Sequence, residues 1–162
     1  MSEEFPYNFP IWQSSHRAES PDKKYVAEID PASEVSLGNP THGTLILSNG
    51  ISLPKCNPSF IWSDDSTYLA VAQFTSNWFF GTGKQRLLII DVDKKKGWQS
   101  AKLAYYIQPE SFIGGELTLK LNPSHKAKMM IFSIPEDLGE FTAIELSASS
   151  GNGFHSKANN QN

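Results

Sequence analysis

The sequence predicts an all-β fold of antiparallel meanders, and three observations carry that prediction. Gly and Pro, at 11 and 10 of 162 residues, supply a turn former roughly every eight residues, a spacing that suits many short strands. The apolar stretches between them are short and rich in β-branched and aromatic residues, which fit a pleated surface. Parallel strands need crossovers of a dozen or more residues, usually a helix, and the sequence offers no such helical stretch. The length suits one domain. An apolar fraction of 39%, with 10 Phe, 5 Tyr and 4 Trp, is enough to build a core and excludes a wholly disordered chain.

Taken in order, residues 1–19 read as an extended arm, because Pro6 and Pro10 interrupt an aromatic stretch and exclude a helix interior or a central strand. A turn at Ser20-Pro21-Asp22-Lys23 opens a strand over Lys24–Ile29. Thr44–Ser48 and Ile51–Leu53 flank Asn49-Gly50, the signature of a hairpin with a type I′ turn. Ser59–Trp62 is a short strand, followed by a turn at Ser63-Asp64-Asp65-Ser66, where Asp and Ser side chains bond their own backbone. Tyr68–Phe74 is apolar on both faces and predicts an interior strand, as does Gln85–Val92.

Beyond a Lys94-Lys95-Lys96 tip, Gly97-Trp98 starts a strand read through to Ile107, and alternation along it turns one of Tyr105 and Tyr106 outward. Pro109–Phe112 reads as a helical turn ended by Gly114-Gly115. Glu116–Leu121 alternates strictly, three leucines on one side and polar residues on the other, which predicts one wet face. Lys128–Ile134 and Phe141–Leu146 complete the strands around a turn at Pro135–Gly139, and the polar stretch 147–162 reads as a disordered tail. The expected organisation is a single β domain over 1–146, its first 19 residues the arm.

Two segments repeat at an offset of 43 residues: Ser20-Pro21-Asp22-Lys23-Lys24-Tyr25-Val26-Ala27 lies on Ser63-Asp64-Asp65-Ser66-Thr67-Tyr68-Leu69-Ala70. These pieces, with the strand Arg86-Leu87-Leu88-Ile89-Ile90-Asp91-Val92-Asp93 that follows, resemble blades of WD40-type and TolB-type β-propellers over residues 20–96. The Gly-His and Trp-Asp dipeptides of WD40 blades are missing. Asn122-Pro123-Ser124-His125 before Lys128–Phe132 has similar grammar at a spacing that does not fit. A closed ring needs about four blades or more, so the resemblance implies two propeller-blade-like sheets in an open fragment or sandwich, with exposed edges in need of cover.

Composition narrows function by exclusion. The net charge is −3, and the one basic run, Lys94–Lys96, follows Asp91 and Asp93, which speaks against direct nucleic-acid binding. The longest apolar runs, such as Leu87–Ile90, fall far short of the ~20 residues of a membrane span. Cys56 is alone and reads as a small buried hydrophobe, with no partner for a disulfide. The start shows neither a basic nor an apolar leader region, and the Asn-X-Ser/Thr triplets at Asn39, Asn57 and Asn122 all carry Pro in the middle, which blocks glycosylation. The expectation is a cytoplasmic protein without membrane association.

No catalytic set is visible, and neither an enzyme nor a cofactor is expected. His16, His42, His125 and His155 have no His or Cys at metal-ligand spacing. Gly81-Thr82-Gly83-Lys84 lacks the spacing of a phosphate-binding loop. Asp64 and Asp65 are adjacent and expected to be exposed in one turn, where turn chemistry explains them without catalysis. Asn77-Trp78-Phe79-Phe80 places three consecutive large aromatics between two apolar strands, more than one core face can take, and exposed aromatics anchor interfaces.

In size, acidity and build the chain is similar to the immunity proteins of bacterial toxin systems of the contact-dependent growth inhibition type. That likeness implies a non-catalytic inhibitor that neutralises a basic toxin domain, a nuclease among the candidates. Asp64 and Asp65 would steer the partner, and Asn77, Trp78, Phe79 and Phe80 would hold it. The competing expectation is a small hydrolase or ligand-binding β protein in which His42 or His125 meets a carboxylate.

Overall fold

The computed structural model describes residues 16–29, 33–34, 41–75, 84–123 and 126–146. These form strands β1 (His16–Glu19), β2 (Val26–Ile29), β3 (Ser33–Glu34), β4 (Thr41–Leu47), β5 (Ser52–Cys56), β6 (Ile61–Trp62), β7 (Tyr68–Phe74), β8 (Gln85–Asp91), β9 (Lys96–Gln99), β10 (Ile107–Ile113), β11 (Glu116–Leu121), β12 (Lys128–Ser133) and β13 (Thr142–Glu145), with a single 3-10 turn at Glu136–Glu140. Every pairing among the described residues is antiparallel. The fold is all-β, as the sequence predicts.

Ten strands join in the order β1-β2-β4-β5-β7-β8-β9-β13, with β3 on β4 and β6 on β7, and β10-β11-β12 form a second sheet. The long sheet narrows to one residue pair, Cys56 with Gln73, where β5 meets β7. That constriction separates a first layer, β1-β2-β4-β5, from a second, β7-β8-β9-β13, and β10-β11-β12 makes a third. Two distinct cores separate the layers. Ala27, Ile29, Leu45 and Leu47 of the first layer meet Leu69, Val71, Leu88 and Ile90. Ala70, Ala72, Leu87 and Ile89, on the opposite face of the same two strands, meet Ile107, Phe112, Leu117 and Leu119. Successive strand residues point to opposite faces, so the central runs Leu69–Ala72 of β7 and Leu87–Ile90 of β8 must be apolar at every position to fill both cores. At β6, Ile61 enters the second core and Trp62 the first. Three layers in an open stack, not a closed ring, are seen among the described residues.

The alternating leucines of β11 all enter the second core, while Glu116 is exposed. Tyr105 is exposed and Tyr106 half-buried, but both lie between β9 and β10, so the split does not come from strand alternation. Several local expectations are corrected. Pro109–Phe112 is strand, not helical turn: β10 pairs with β11 along its length and absorbs one extra residue between Pro109 and Ser111 as a bulge. The strand begun at Gly97 ends at Gln99, because the chain must leave the second layer there to reach the third. Over that crossing, the Gln85 amide donates to the Ala104 carbonyl at 2.7 Å and the Leu103 amide to the Gln85 carbonyl at 3.1 Å.

The Asn49-Gly50 hairpin exists, but its turn is not type I′. Gly50 is at φ 97 and Asn49 is not at positive φ. The Gly50 amide bonds the Leu47 carbonyl at 2.9 Å and the Leu47 amide the Ile51 carbonyl at 2.9 Å, the pattern of a type I turn closed by a left-handed glycine. His16–Glu19, read as the end of an extended arm, is a strand paired with β2. Residues 1–15 and the tail 147–162 lie outside the described residues.

Candidate functional site

The repeated sequence builds a repeated turn. In the second copy, the Ser63 hydroxyl donates to the Asp65 carboxylate at 2.7 Å and accepts from the Tyr68 amide at 2.9 Å, while Asp65 accepts from the Thr67 amide at 3.0 Å. In the first copy, Ser20 donates to Asp22 at 2.6 Å and accepts from the Tyr25 amide at 3.0 Å, and Asp22 accepts from the Lys24 amide at 3.0 Å. Each turn closes with a backbone bond of 2.8 Å, Ser20 to Tyr25 and Ser63 to Tyr68. Lys23 at φ 61 and Ser66 at φ 64 occupy equivalent positions. The Ser/Asp pair thus satisfies the amides that a tight reversal would otherwise strand.

These turns also tie the layers together. The Asp64 amide donates to the Phe112 carbonyl at 3.0 Å, and the Asp64 carboxylate accepts from the Gly114 amide at 3.1 and 3.2 Å, linking second layer to third. Between first and second layers, Asn49 Nδ2 donates to the Val92 carbonyl at 2.9 Å, the Tyr25 hydroxyl to Asp93 at 2.6 Å and Lys24 Nζ to Asp93 at 2.9 Å. The Ser20 hydroxyl, followed by the Lys24 amide, holds the Asp22 carboxyl below its usual range. Lys24 and Tyr25 do the same for Asp93. For Asp65, partial burial pushes the pKa up, but the hydrogen bonds from Ser63 and Thr67 outweigh it and leave it lowered.

Asp64 and Asp65 are exposed, and their carboxylates are already engaged by the chain. Asn77, Trp78, Phe79 and Phe80 lie outside the described residues. The segment that carries them leaves after Thr75, whose amide donates to the Lys84 carbonyl at 3.2 Å. Asp65 and Thr75 flank opposite ends of β7, on the order of 25 Å apart at strand rise.

The remaining candidates with chemistry are held as structural parts. His16 Nδ1 bonds the Pro58 carbonyl at 2.7 Å and its ring stacks on Phe60 at 4.1 Å; burial lowers its pKa against the opposing pull of that bond. Burial, then Lys55, lowers the pKa of His42, whose ring meets Phe74 edge-on at 5.6 Å. Burial pushes the Cys56 thiol up to about 12. Lys84 lies over the Tyr105 ring at 5.6 Å. His125, His155, Gly81 and Gly83 lie outside the described residues. Among those described, no group of three or more His, Cys, Asp or Glu is arranged to hold a metal ion, and no helix is long and apolar enough to cross a membrane.

The cross-layer roles of Asn49 and Asp64 were not readable in advance, since each residue is fully accounted for by its own turn until the neighbouring layer is in place. Comparison with protein-family models, with curated proteins and with solved structures returned no match.

Proposed function

We propose that this chain is a non-catalytic, cytoplasmic protein-binding protein, an immunity protein that neutralises a basic bacterial toxin domain, and that its layers are blades of propeller type. The observation that carries this reading is the set of acidic residues at the two equivalent turns, Asp22, Asp64 and Asp65, exposed yet fixed by hydrogen bonds, Asp22 and Asp65 within their own turns and Asp64 from the Gly114 amide. Carboxylates held in place before binding lose little freedom on association, and on a chain of net charge −3 they steer a basic partner. The side chains best suited to chemistry, Cys56 and His16, are instead built into the packing.

The test is binding and neutralisation of a basic toxin domain, sought first in the neighbouring reading frames, measured by calorimetry and by survival on co-expression. Asp64→Lys and Trp78→Ala are each expected to weaken binding at least tenfold, and Asp64→Lys also to lower the melting temperature, because the Gly114 amide loses its acceptor. A wild-type chain that neither binds nor protects overturns the reading; unchanged affinity in both variants overturns the residue assignment. Turnover of a small ester or phosphoester by the wild-type chain would favour the hydrolase alternative.

A further inference from the structure

The outer strand of the third layer, β12, is hydrogen-bonded to β11 and has no second neighbour among the described residues. The Ile134 amide donates to the Gly115 carbonyl at 2.7 Å, so by alternation the amides of Met130 and Phe132 also face β11. Met129, Ile131 and Ser133 therefore turn their backbone groups to the open side. The Ser133 amide is capped there by the Asp137 carboxylate at 2.6 Å. Those of Met129 and Ile131 remain presented.

Open edges are ordinarily blunted by central charges, prolines or bulges. In Lys128-Met129-Met130-Ile131-Phe132-Ser133 the single charge is at the first residue, and the pairing with β11 runs through all six without a register shift. Met130 and Phe132 pack against the second core, whereas Met129 and Ile131 are 53% and 58% exposed. This edge is apolar, regular and ready to accept a strand.

We propose that β12 pairs antiparallel with β12 of a second copy of this chain about a two-fold axis at Met130, joining the two third layers into one continuous sheet. Three features select that occupant and register. Opposed residues of an antiparallel pair share a face, so a two-fold axis normal to the sheet must pass through a residue, not between two. Centring on Met130 sets Met129 opposite Ile131 of the other copy, twice over. Those are the residues whose backbone groups face outward, and the pairing leaves the Asp137 cap in place; centring on Ile131 would set Met129 opposite the already capped Ser133. The charges are also self-complementary. The strand is entered from Lys126 and Lys128 and left toward Glu136 and Asp137, so reversing one copy against another lays each basic start on an acidic end. The contact is isologous and closes at two copies, and it is independent of the partner binding proposed above.

Sedimentation equilibrium and light scattering on the full chain test it. A concentration-dependent shift from 18.0 kDa to twice that mass is expected. Ile131→Lys, at an exposed position, should leave a folded monomer by circular dichroism. Lys128→Glu should weaken the dimer about tenfold, and adding Glu136→Lys should restore it. Met130→Cys should form an interchain disulfide on mild oxidation, because a non-hydrogen-bonded antiparallel pair brings its Cα atoms within disulfide reach. A monomer at every concentration, open-ended polymers, or an Ile131→Lys chain that still dimerises would overturn the proposal. So would faster cross-linking of Ile131→Cys than of Met130→Cys.

Discussion

The backbone amide of Asp22 donates to the hydroxyl of Ser66 at 2.9 Å, so the first copy of the repeated turn is bonded directly to the second. The repeat is therefore a contact as well as an echo. Ser66 holds a left-handed backbone angle, aims its hydroxyl at the preceding layer, and leaves Asp64 free to reach the Gly114 amide of the following one. Hairpin ends are joined layer to layer along one end of the stack.

Acid should loosen that end first. Asp22, Asp65 and Asp93 all have folded pKa values below their ordinary range. A lowered carboxyl pKa contributes stability that is present above the unfolded value, about 3.9, and lost as pH falls through the folded value. Melting temperature should hold steady from about pH 7 to about pH 5 and fall below about pH 4. Asp93→Asn, which removes the charge facing Lys24 and Tyr25, should lower the neutral plateau and flatten the acid limb. Parallel curves for variant and wild type would refute that linkage.

Leu87 and Leu88 are neighbours in β8 with opposite loyalties, Leu87 in the second core and Leu88 in the first. Each replacement by Ala should cost about 2–5 kcal/mol through lost burial and a residual cavity. Hydrogen exchange should distinguish them. Leu88→Ala should raise exchange most in β2 and β4, Leu87→Ala most in β11. An identical exchange pattern in the two variants would mean the layers do not open separately.

Much of this was legible in the chain. Tyr68–Phe74 and Gln85–Val92 announce a doubly covered layer because neither alternates, and Glu116–Leu121 announces a one-sided strand because it does. The Ser-x-Asp turns carry their hydrogen bonds within six residues, so local sequence suffices to place them. The misreadings have the opposite character. At Pro109 the proline and the Gly114-Gly115 pair suggest a break, yet β10 accommodates its extra residue as a bulge against β11. Asn49 looks like a left-handed turn residue, but its side chain bonds Val92, and the backbone takes the turn that allows it. The bulge depends on pairing with the next strand of the same sheet, and the turn on an adjacent layer more than 40 residues away in sequence. The candidate partner-binding residues are legible only as composition, and the structure adds that Asp65 works within its own turn and Asp64 across to the next layer.

The two glycines of the β10–β11 hairpin should respond very differently to a methyl group. Gly114 is at φ +60 with open space where a Cβ would stand, so Gly114→Ala should cost about 1–2 kcal/mol, the left-handed penalty alone. Gly115 is at φ +79, and its Cβ would lie 2.7 Å from the Ile134 carbonyl oxygen. Because the Ile134 amide also bonds the Gly115 carbonyl, that neighbour cannot withdraw without breaking the junction at the end of β12. Gly115→Ala should therefore exceed the Gly114→Ala loss by more than ~1 kcal/mol in urea unfolding. Equal losses would show that the hairpin shifts freely.

Cys56 gives a direct readout of the first core. Its side chain is fully buried at the Cys56–Gln73 constriction, and burial pushes its thiol up to about 12. At about pH 8 the native chain then holds almost no thiolate, the species that attacks a disulfide reagent. Labelling should wait for opening of the layer and speed up with urea as the open population grows. Leu88→Ala, in the same core, should accelerate labelling by about 30-fold or more for a loss of ~2 kcal/mol or above. Wild-type labelling within the mixing time, or a rate indifferent to Leu88→Ala, would mean that the thiol is reached without opening the first core.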